Sequence, residues 1–300
     1  MKIWEDMIAI NSGREFEFET LPPAQHLPLQ ERSYVRIDPG LLAKPLEEYE
    51  AADKWPIPAT MDRERYHLDR HRDYWLSGLR DYLVIIRELK RLEVPVTRYF
   101  ELGCSSGRTL RHFLVNNPES EIWGADINYR NVMWLQRHIP PVRTFQNTSI
   151  PQLPLEDMHF DFVCAFSVFT HIETFVETWL AEIWRVLRPG GIAWLTLHTE
   201  YSVENMTDNW PLAKAVSMHP DYTGKSELLS RLQKNGRVIF RHKADGSYSS
   251  NVVCSTDFIK RTWGAFFEVV EVKRAFPAFQ DVFLLRKPNH SKRLDRTALL

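Results

Sequence analysis

From residue 66 to residue 93, apolar side chains recur at helical spacing among charged ones: Tyr74, Leu76, Leu79, Leu83, Ile86 and Leu89. This pattern predicts one long amphipathic helix that stops at Pro95. Residues 1–60 contain closely spaced prolines, which exclude long helices there. We therefore expect residues 1–95 to form an N-terminal helical extension, an extended arm or short-helix cap that ends in the long helix 66–93.

Beyond residue 95 the chain alternates between short apolar runs and helical stretches. The runs predict strands at 96–102, 121–127, 142–146, 160–166 and 191–198. The stretches between them predict helices at 107–117, 129–138 and 173–187, the last closed by the prolines and glycines of 188–191. Strand–helix–strand repetition of this kind favours an α/β fold, a doubly wound parallel sheet with helices on both faces.

The C-terminal part of the chain departs from this alternation. A helix is predicted at 256–267, followed by strands at 268–275 and 281–286. The connection between these two strands is too short for a crossover helix, so the last pair should run antiparallel. Residues 199–255 are long for a loop, and we expect them to form a partly ordered insertion that covers the acceptor site.

Composition and charge narrow the classes of function. The formal net charge of −1 provides no basic surface for nucleic acid or an anionic membrane, so a small molecule is the expected partner. No run approaches the roughly 18 apolar residues of a membrane span, and the N-terminus does not fit a signal peptide. Cys104, Cys164 and Cys254 form neither a zinc pattern nor a disulfide framework, which favours a cytoplasmic protein. The oligomeric state stays open.

The candidate chemistry begins at the end of the first predicted strand of the sheet, in the stretch ELGCSSG that runs from Glu101 to Gly107. Ligands of open parallel sheets bind beyond the carboxyl ends of the strands. Gly103 and Gly107 allow a sharp turn close to a ligand, and the helix predicted from Gly107 onward presents free N–H groups. The second strand ends at Asp126, an acid suited to both hydroxyls of a ribose.

The spacing of the glycines disfavours a dinucleotide. A G-x-G-x-x-G pattern that starts at Gly103 needs glycines at the positions of Ser105 and Arg108, and Gly107 comes one residue too early. Glu101 would repel a phosphate and suits a ligand with an ammonium or another cationic centre. A ribose contact without a pyrophosphate site points to S-adenosylmethionine.

Four stretches resemble the class I, Rossmann-like, S-adenosylmethionine-dependent methyltransferases: FELGCSSGRTLRHF, EIWGADIN, LPLEDMHFDFVCAFSVFTHI and WRVLRPGGIAWLTLH. The resemblance implies a seven-stranded, mostly parallel doubly wound sheet with an antiparallel last strand, in a methyltransferase domain at 96–290. It implies transfer of a methyl group from S-adenosylmethionine to a small-molecule acceptor by direct in-line displacement, a reaction that depends on positioning. It does not extend to the first 95 residues.

The resemblance also implies a set of cofactor-binding residues: Glu101, Gly103, Cys104, Ser105, Gly107, Asp126, Ile127, Asn147, Phe166 and Ser167. This sequence departs from the family at two places. Ser105 stands where a glycine is usual, and no acidic residue follows the third strand near the adenine. Asn147 is therefore the expected adenine contact, with Asn128 as an alternative. We expect Cys104 to be a small packing residue and not a nucleophile.

Three ionisable residues are predicted at the carboxyl edge of the sheet, on the acceptor side. His171 follows the fourth strand, His198 ends the fifth, and Asp281 begins the final antiparallel strand at the edge where its parallel neighbours end. These catalytic candidates can supply a general base, which favours an oxygen nucleophile. The alternative is that His171 fixes the loop, His198 fixes the edge of the pocket, and proximity alone drives the reaction.

Two other functions stay open at the level of sequence. A non-catalytic partner subunit would keep the cofactor fold, and an NAD(P)-dependent oxidoreductase would keep the sheet but needs a pyrophosphate site. His67 and His71 lie one helical turn apart without an evident third ligand, so we expect no metal site.

Overall fold

The computed structural model describes residues 7–28, 33–242, 250–276 and 279–289 of the chain. The chain divides into two compact units. We call Ala9–Thr148 the first unit, and Ser149–Leu300 together with Met1–Ile8 the second unit.

The first unit begins with short elements, as its prolines predict. Strand β1 (Thr20–Leu21) pairs antiparallel with β2 (Ile57–Pro58), and α1 (Leu46–Ala52) lies between them in the chain. Single 3-10 turns occur at Ala24–His26, Pro39–Leu41 and Thr60–Arg63. Among the described residues before residue 71, no helix is longer than the seven residues of α1.

The long amphipathic helix, α2, spans His71–Arg91 and buries a continuous apolar face that includes Trp75, Leu79 and Ile85. The sequence pattern predicted its start five residues earlier, at residue 66, and this boundary was wrong. Residues 64, 65, 67 and 68 have left-handed backbone, with φ between 46° and 61°, so they cannot belong to a right-handed helix.

Three parallel strands and two helices complete the first unit. The strands are β3 (Arg98–Leu102), β4 (Glu121–Asp126) and β5 (Arg143–Gln146). The helices between them are α3 (Leu110–Asn116) and α4 (Tyr129–His138). The sequence predicted α3 from residue 107, but residues 105–109 form turns. The free N–H groups expected there therefore belong to a turn and not to a helix.

In the second unit, β6 (Phe160–Ala165) pairs in parallel with β7 (Leu187–Leu197), and α5 (Val176–Val186) connects them. Strand β7 begins four residues before its predicted start, and it includes the proline and glycines at 188–191. The register between the two strands shifts at this point. A Cβ on Gly191 would lie 3.0 Å from the carbonyl oxygen of Asp161, so the absence of a side chain lets the backbones approach closely.

The insertion predicted at 199–255 forms regular elements where the structure describes it. Its described part contains α6 (Glu200–Asn205), α7 (Pro211–Val216), α8 (Lys225–Asn235) and an antiparallel hairpin of β8 (Arg237–Arg241) and β9 (Ser250–Cys254). A separate apolar cluster holds these elements together, with members such as Val203, Leu212, Leu228 and Phe240 fully buried. The predicted insertion also includes residues 243–249, which lie outside the described residues.

The last elements confirm the antiparallel end of the sheet. After α9 (Thr256–Trp263), strand β10 (Glu268–Lys273) pairs antiparallel with β11 (Asp281–Arg286), and β11 pairs antiparallel with β7. The strand order of the seven-stranded sheet is β10-β11-β7-β6-β3-β4-β5. The predicted fold class, a mostly parallel α/β sheet with an antiparallel last strand, is confirmed. None of the helices in the described part of the chain combines the length and apolar character that crossing a bilayer requires.

Candidate functional site

The loop after β3 folds back over the end of β4. The backbone N–H groups of Gly103 and Cys104 both donate to the carbonyl oxygen of Ala125, at 2.8 and 3.0 Å. Gly103, Ser105 and Gly107 have φ values of 73°, 48° and 81°, and only glycine adopts this region without strain. At Gly107 a Cβ would also lie 2.5 Å from Cδ2 of Leu135. The glycines thus permit this turn.

Cys104 fills the space beneath the loop. Its side chain is buried, and a Cβ on Gly124 of β4 would lie 2.8 Å from its Sγ. Burial raises the pKa of the Cys104 thiol well above its ordinary value, so the thiol stays neutral. These contacts support the expectation that Cys104 packs and does not act as a nucleophile.

Asp126, at the end of β4, ties the loop to the start of α4. Its Oδ2 accepts the backbone N–H of Ser105 at 2.7 Å. Its Oδ1 accepts the backbone N–H of Asn128 at 2.8 Å and the amide of Asn131 at 3.2 Å. A carboxylate offers about four acceptor positions, so three bonds leave capacity for a further donor. Burial and the neighbouring Glu64 raise the pKa of Asp126 to about 6.

Glu101 lies fully inside the first unit, on β3. Its Oε2 accepts the hydroxyl of Tyr99 at 2.9 Å. Burial raises the pKa of Glu101 to about 8, although the nearby Arg108 opposes this shift. Arg108 itself pairs with Asp81 at 2.6 Å. A cationic group beside Glu101 would favour its ionised form, so this carboxyl suits the ammonium end of a ligand.

Asn147 presents an unsatisfied acceptor at the end of β5. Its backbone N–H donates to the carbonyl of Asp126 at 3.2 Å, and its Nδ2 donates to the carbonyl of Thr148 at 3.0 Å. Its Oδ1 is buried and has no hydrogen-bond partner among the described residues. A buried acceptor without a donor is costly, and the exocyclic amine of an adenine is a donor. With Asp126 for a ribose and Glu101 for an ammonium, these residues fit S-adenosylmethionine.

The other two candidates on this side serve the protein's own structure. The side chain of Asn128 caps α4, because its Oδ1 accepts from the backbone of Arg130 at 3.2 Å and from Asn11 at 2.8 Å. The carbonyl of Ile127 accepts from the backbone of Ile10 and from Gln146, both at 2.9 Å. Asn147 is therefore better suited than Asn128 to contact the adenine.

In the second unit, Phe166 and Ser167 follow β6 directly. Ser167 has a φ of 56° and its backbone N–H donates to Oγ1 of Thr196 on β7 at 2.7 Å. Its hydroxyl accepts from the side chain of Gln280 at 2.7 Å. Ser167 is exposed and Phe166 is half-buried. Both are placed at the carboxyl end of a strand, as predicted.

The insertion orients His171. Its Nδ1 lies 2.7 Å from the carbonyl oxygen of Ser250 on β9. A carbonyl oxygen only accepts, so the proton of the neutral ring is on Nδ1 and the lone pair is on Nε2. The hairpin is held to the same loop by the backbone bond from Val252 to Thr170 at 2.8 Å and by the bond from Ser250 Oγ to Glu173 at 2.7 Å. Burial lowers the pKa of His171.

His198, just after β7, is 4% exposed and lies close enough to His171 to interact with its charge. Burial, with a smaller effect from His171, lowers the pKa of His198 to about 3. Its carbonyl accepts from the backbone of Cys254 at 3.0 Å, while its Nδ1 is buried without a hydrogen-bond partner among the described residues. The two histidines are thus brought together, and His198 is the weaker base.

Asp281 is the first residue of β11 and pairs with Leu197, the residue before His198. The sequence predicted that Asp281 lies at the same edge of the sheet as His198. Its Oδ2 accepts from Arg274 at 2.9 Å and from the hydroxyl of Thr199, and its Oδ1 accepts the backbone N–H of Ala275 at 2.7 Å. The carboxylate is fully buried. These bonds connect the start of β11 to residues that follow β7 and β10. They favour a positioning role for Asp281 over the role of a general base.

Three residues of these sites were not predicted from the sequence. Glu64 and Asn131 lie beside Asp126, and Ser250 holds His171. Glu64 and Ser250 carry no sequence signal, since one lies in an irregular turn and the other contributes a backbone carbonyl. Within the described residues, no three His, Cys, Asp or Glu side chains are grouped so that they could hold a metal ion.

The chain is similar in sequence to known methyltransferases. Residues 100–195 match the family model of a methyltransferase domain. The chain is 29% identical over 125 residues to the phthiotriol/phenolphthiotriol dimycocerosates methyltransferase 1 of Mycobacterium ulcerans. This match covers 41% of the chain and 45% of the relative, so the chain matches less than half the length of that protein.

Solved structures of low sequence identity are also similar. One is a 1,6-didemethyltoxoflavin-N1-methyltransferase of Burkholderia thailandensis with bound 1,6-didemethyltoxoflavin and S-adenosylhomocysteine (17% identity, 82% of this chain and 93% of that chain, TM-score 0.47). Another is an S-adenosylmethionine-dependent methyltransferase of Clostridium acetobutylicum (10% identity, 74% of this chain and 94% of that chain, TM-score 0.48).

Proposed function

We propose that this protein, whose residues 100–195 match the family model of a methyltransferase domain, is a class I S-adenosylmethionine-dependent methyltransferase that methylates a hydroxyl oxygen of a small molecule. We choose oxygen as the acceptor atom because of the hydrogen bond from His171 Nδ1 to the carbonyl of Ser250. It fixes the tautomer in which Nε2 can accept a proton, which an alcohol or phenol must lose when it is methylated.

Three residues of the first unit would hold the cofactor. Glu101 would bind its ammonium, Asp126 its ribose and Asn147 its adenine amine, as their charges and unsatisfied acceptors suggest. When bound, S-adenosylmethionine supplies an electrophilic methyl group on a sulfonium. Acid–base help is then needed only for the acceptor, because the displacement itself needs no covalent intermediate on the protein.

His171 acts as the general base in this proposal. Its Nε2 would take the proton of the acceptor hydroxyl, and S-adenosylmethionine, held by Glu101, Asp126 and Asn147, would supply the methyl group to the oxygen. The products are a methyl ether, S-adenosylhomocysteine and a protonated imidazole, which returns its proton to water. His198, with a pKa of about 3, shapes the pocket edge, and Asp281 fixes the start of β11.

Two further observations bear on the acceptor and on the location of the protein. The similar methyltransferases of Mycobacterium ulcerans and Burkholderia thailandensis are both named for small-molecule acceptors. We therefore propose a small molecule and not a macromolecule as the partner. Cys104, Cys164 and Cys254 are buried free thiols, which supports the proposed reducing environment of the cytoplasm.

The test is methyl transfer from S-(trideuteromethyl)adenosylmethionine to a panel of small hydroxylated and aminated compounds, read by mass spectrometry. We expect deuterated methyl ethers. His171→Gln should lower kcat by about 10²- to 10³-fold without weakening S-adenosylhomocysteine binding, while the control His159→Gln, at a residue whose Nδ1 lies 3.6 Å from Oε2 of Glu156, should match the wild type.

The pH profile of kcat/KM gives an independent check on His171. The base must be neutral, so the rate should fall as the pH drops through the lowered pKa of His171, below the ordinary value of 6.5. Loss of this acidic limb in His171→Gln supports the assignment. Products methylated only on nitrogen, or an unchanged kcat in His171→Gln, would contradict it. Cofactor binding without transfer to any compound would favour a non-catalytic partner subunit.

A further inference from the structure

A strained turn precedes helix α2. Glu64, Arg65, His67 and Leu68 adopt φ values of 53°, 61°, 61° and 46°, a region that non-glycine residues rarely occupy. The buried guanidinium of Arg63 maintains this conformation by donating to the carbonyls of Tyr66, at 2.8 Å, and Leu68. Residues held in such conformations by their surroundings are concentrated at functional sites.

One end of this turn lies at the predicted ribose acid. Oε1 of Glu64 accepts from Nδ2 of Asn128 at 2.9 Å and from Nδ2 of Asn131 at 3.2 Å. The same Nδ2 of Asn131 also donates to Oδ1 of Asp126 at 3.2 Å. Two carboxylates therefore share one amide, and a further hydrogen-bond donor between them would relieve their mutual repulsion.

The other end of the turn reaches the glycine loop. The ring of Tyr66 lies 5.6 Å from the guanidinium of Arg108, the residue after Gly107. The ring of His67 packs edge-on against Tyr74, whose hydroxyl lies 3.3 Å from Oγ of Ser106. Residues 64–67 therefore extend from the acid at the end of β4 to the loop after β3.

We propose that Glu64 is a second acceptor for the ribose hydroxyls and that residues 64–67 form a lid over this part of the cofactor. A ribose offers two hydroxyl donors, and Asp126 and Glu64 offer two carboxylates. The unsatisfied Oδ1 of Asn147, whose backbone bonds to Asp126, independently indicates that a donor-bearing ligand binds here. The inference rests on the cofactor binding in the proposed function and adds a residue from outside the matched domain.

The test compares S-adenosylhomocysteine with its 2′-deoxy and 3′-deoxy analogues by isothermal titration calorimetry. Glu64→Gln should weaken S-adenosylhomocysteine binding by about 10-fold, the usual loss when a charged hydrogen-bond partner is neutralised. The same substitution should change the affinity for at least one deoxy analogue by less than about 2-fold. The control Glu47→Gln, at an exposed position of α1, should bind all three ligands as the wild type does.

Hydrogen exchange provides a second readout that does not depend on a variant. We expect the amides of residues 63–68 to exchange more slowly once S-adenosylhomocysteine is bound. The lid proposal is wrong if exchange at these residues is unchanged, or if Glu64→Gln lowers the affinity for all three ligands equally. If the wild type and Glu64→Gln bind S-adenosylhomocysteine equally well, the lid proposal is wrong but the proposed function stands. A wild-type protein that binds no S-adenosylhomocysteine would refute both.

Discussion

At the scale of single residues, burial determines the chemistry of the ionisable groups. Glu101 and Asp126 are both buried, and burial is the main reason that their pKa values rise to about 8 and about 6. His171 and His198 show the opposite shift, because burial disfavours the charged form of an imidazole. At neutral pH, Glu101 is therefore mostly protonated and both imidazoles are neutral.

Glu101 should release a proton when the cofactor binds. At pH 7, below its pKa of about 8, the carboxyl is mostly protonated. A bound ammonium favours the carboxylate and lowers this pKa, so binding expels up to about one proton, and the release fades above pH 8, where Glu101 is already ionised. Calorimetry of S-adenosylhomocysteine at pH 7 should therefore give different enthalpies in phosphate and in Tris buffer.

Two variants isolate the source of that proton. Glu101→Gln should abolish the dependence on the buffer, and the exposed Glu119→Gln should retain it. If the wild-type enthalpy is the same in both buffers, the ammonium of the ligand does not meet Glu101, and this part of the cofactor assignment is wrong.

At the scale of elements, the segment before β3 is built into the first unit. The buried carboxylate of Asp53 accepts from Nε of Arg111 on α3 and from Nε1 of Trp75 on α2, both at 2.7 Å. Arg111 also donates to the carbonyl of Trp55 at 2.7 Å. Although burial raises the pKa of Asp53, its ion pair with Arg111 lowers it below the ordinary value. This network fixes α2 and α3 beside the glycine loop.

Gly78 sets the distance between α2 and that loop. A Cβ on Gly78 would lie 2.0 Å from the carbonyl oxygen of Arg108. Alanine is about 1 kcal/mol better than glycine inside a helix, but the clash is with backbone and forces the helix away. We expect Gly78→Ala to lower the free energy of unfolding by roughly 1–3 kcal/mol and to weaken S-adenosylhomocysteine binding.

Urea denaturation and calorimetry check this prediction, with Lys90→Ala on the exposed side of α2 as the control. The control should leave both the free energy of unfolding and the affinity close to the wild-type values. A Gly78→Ala protein that is more stable than the wild type would show that helix propensity, and not close packing, governs this position.

At the scale of the whole molecule, the sequence predicts what depends on periodicity and spacing. Alternating apolar runs located the strands from β3 to β7, and the short link before Asp281 correctly predicted an antiparallel end to the sheet. Positive φ values at residues 64, 65, 67 and 68 could not be predicted, since no glycine or asparagine marks them. The hydrogen bond from His171 to the carbonyl of Ser250 spans 79 positions and involves a backbone carbonyl, so no side-chain pattern predicts it.

We expect this protein to bind S-adenosylmethionine through Asp126 and its neighbours. The most direct test is isothermal titration of the wild type and of Asp126→Asn with S-adenosylhomocysteine, S-adenosylmethionine and NADH, with thermal melting to confirm that both proteins are folded. We expect micromolar binding of both sulfur nucleosides to the wild type, a large loss of affinity in Asp126→Asn and no binding of NADH. Binding of NADH, or no binding of either sulfur nucleoside, would contradict this expectation.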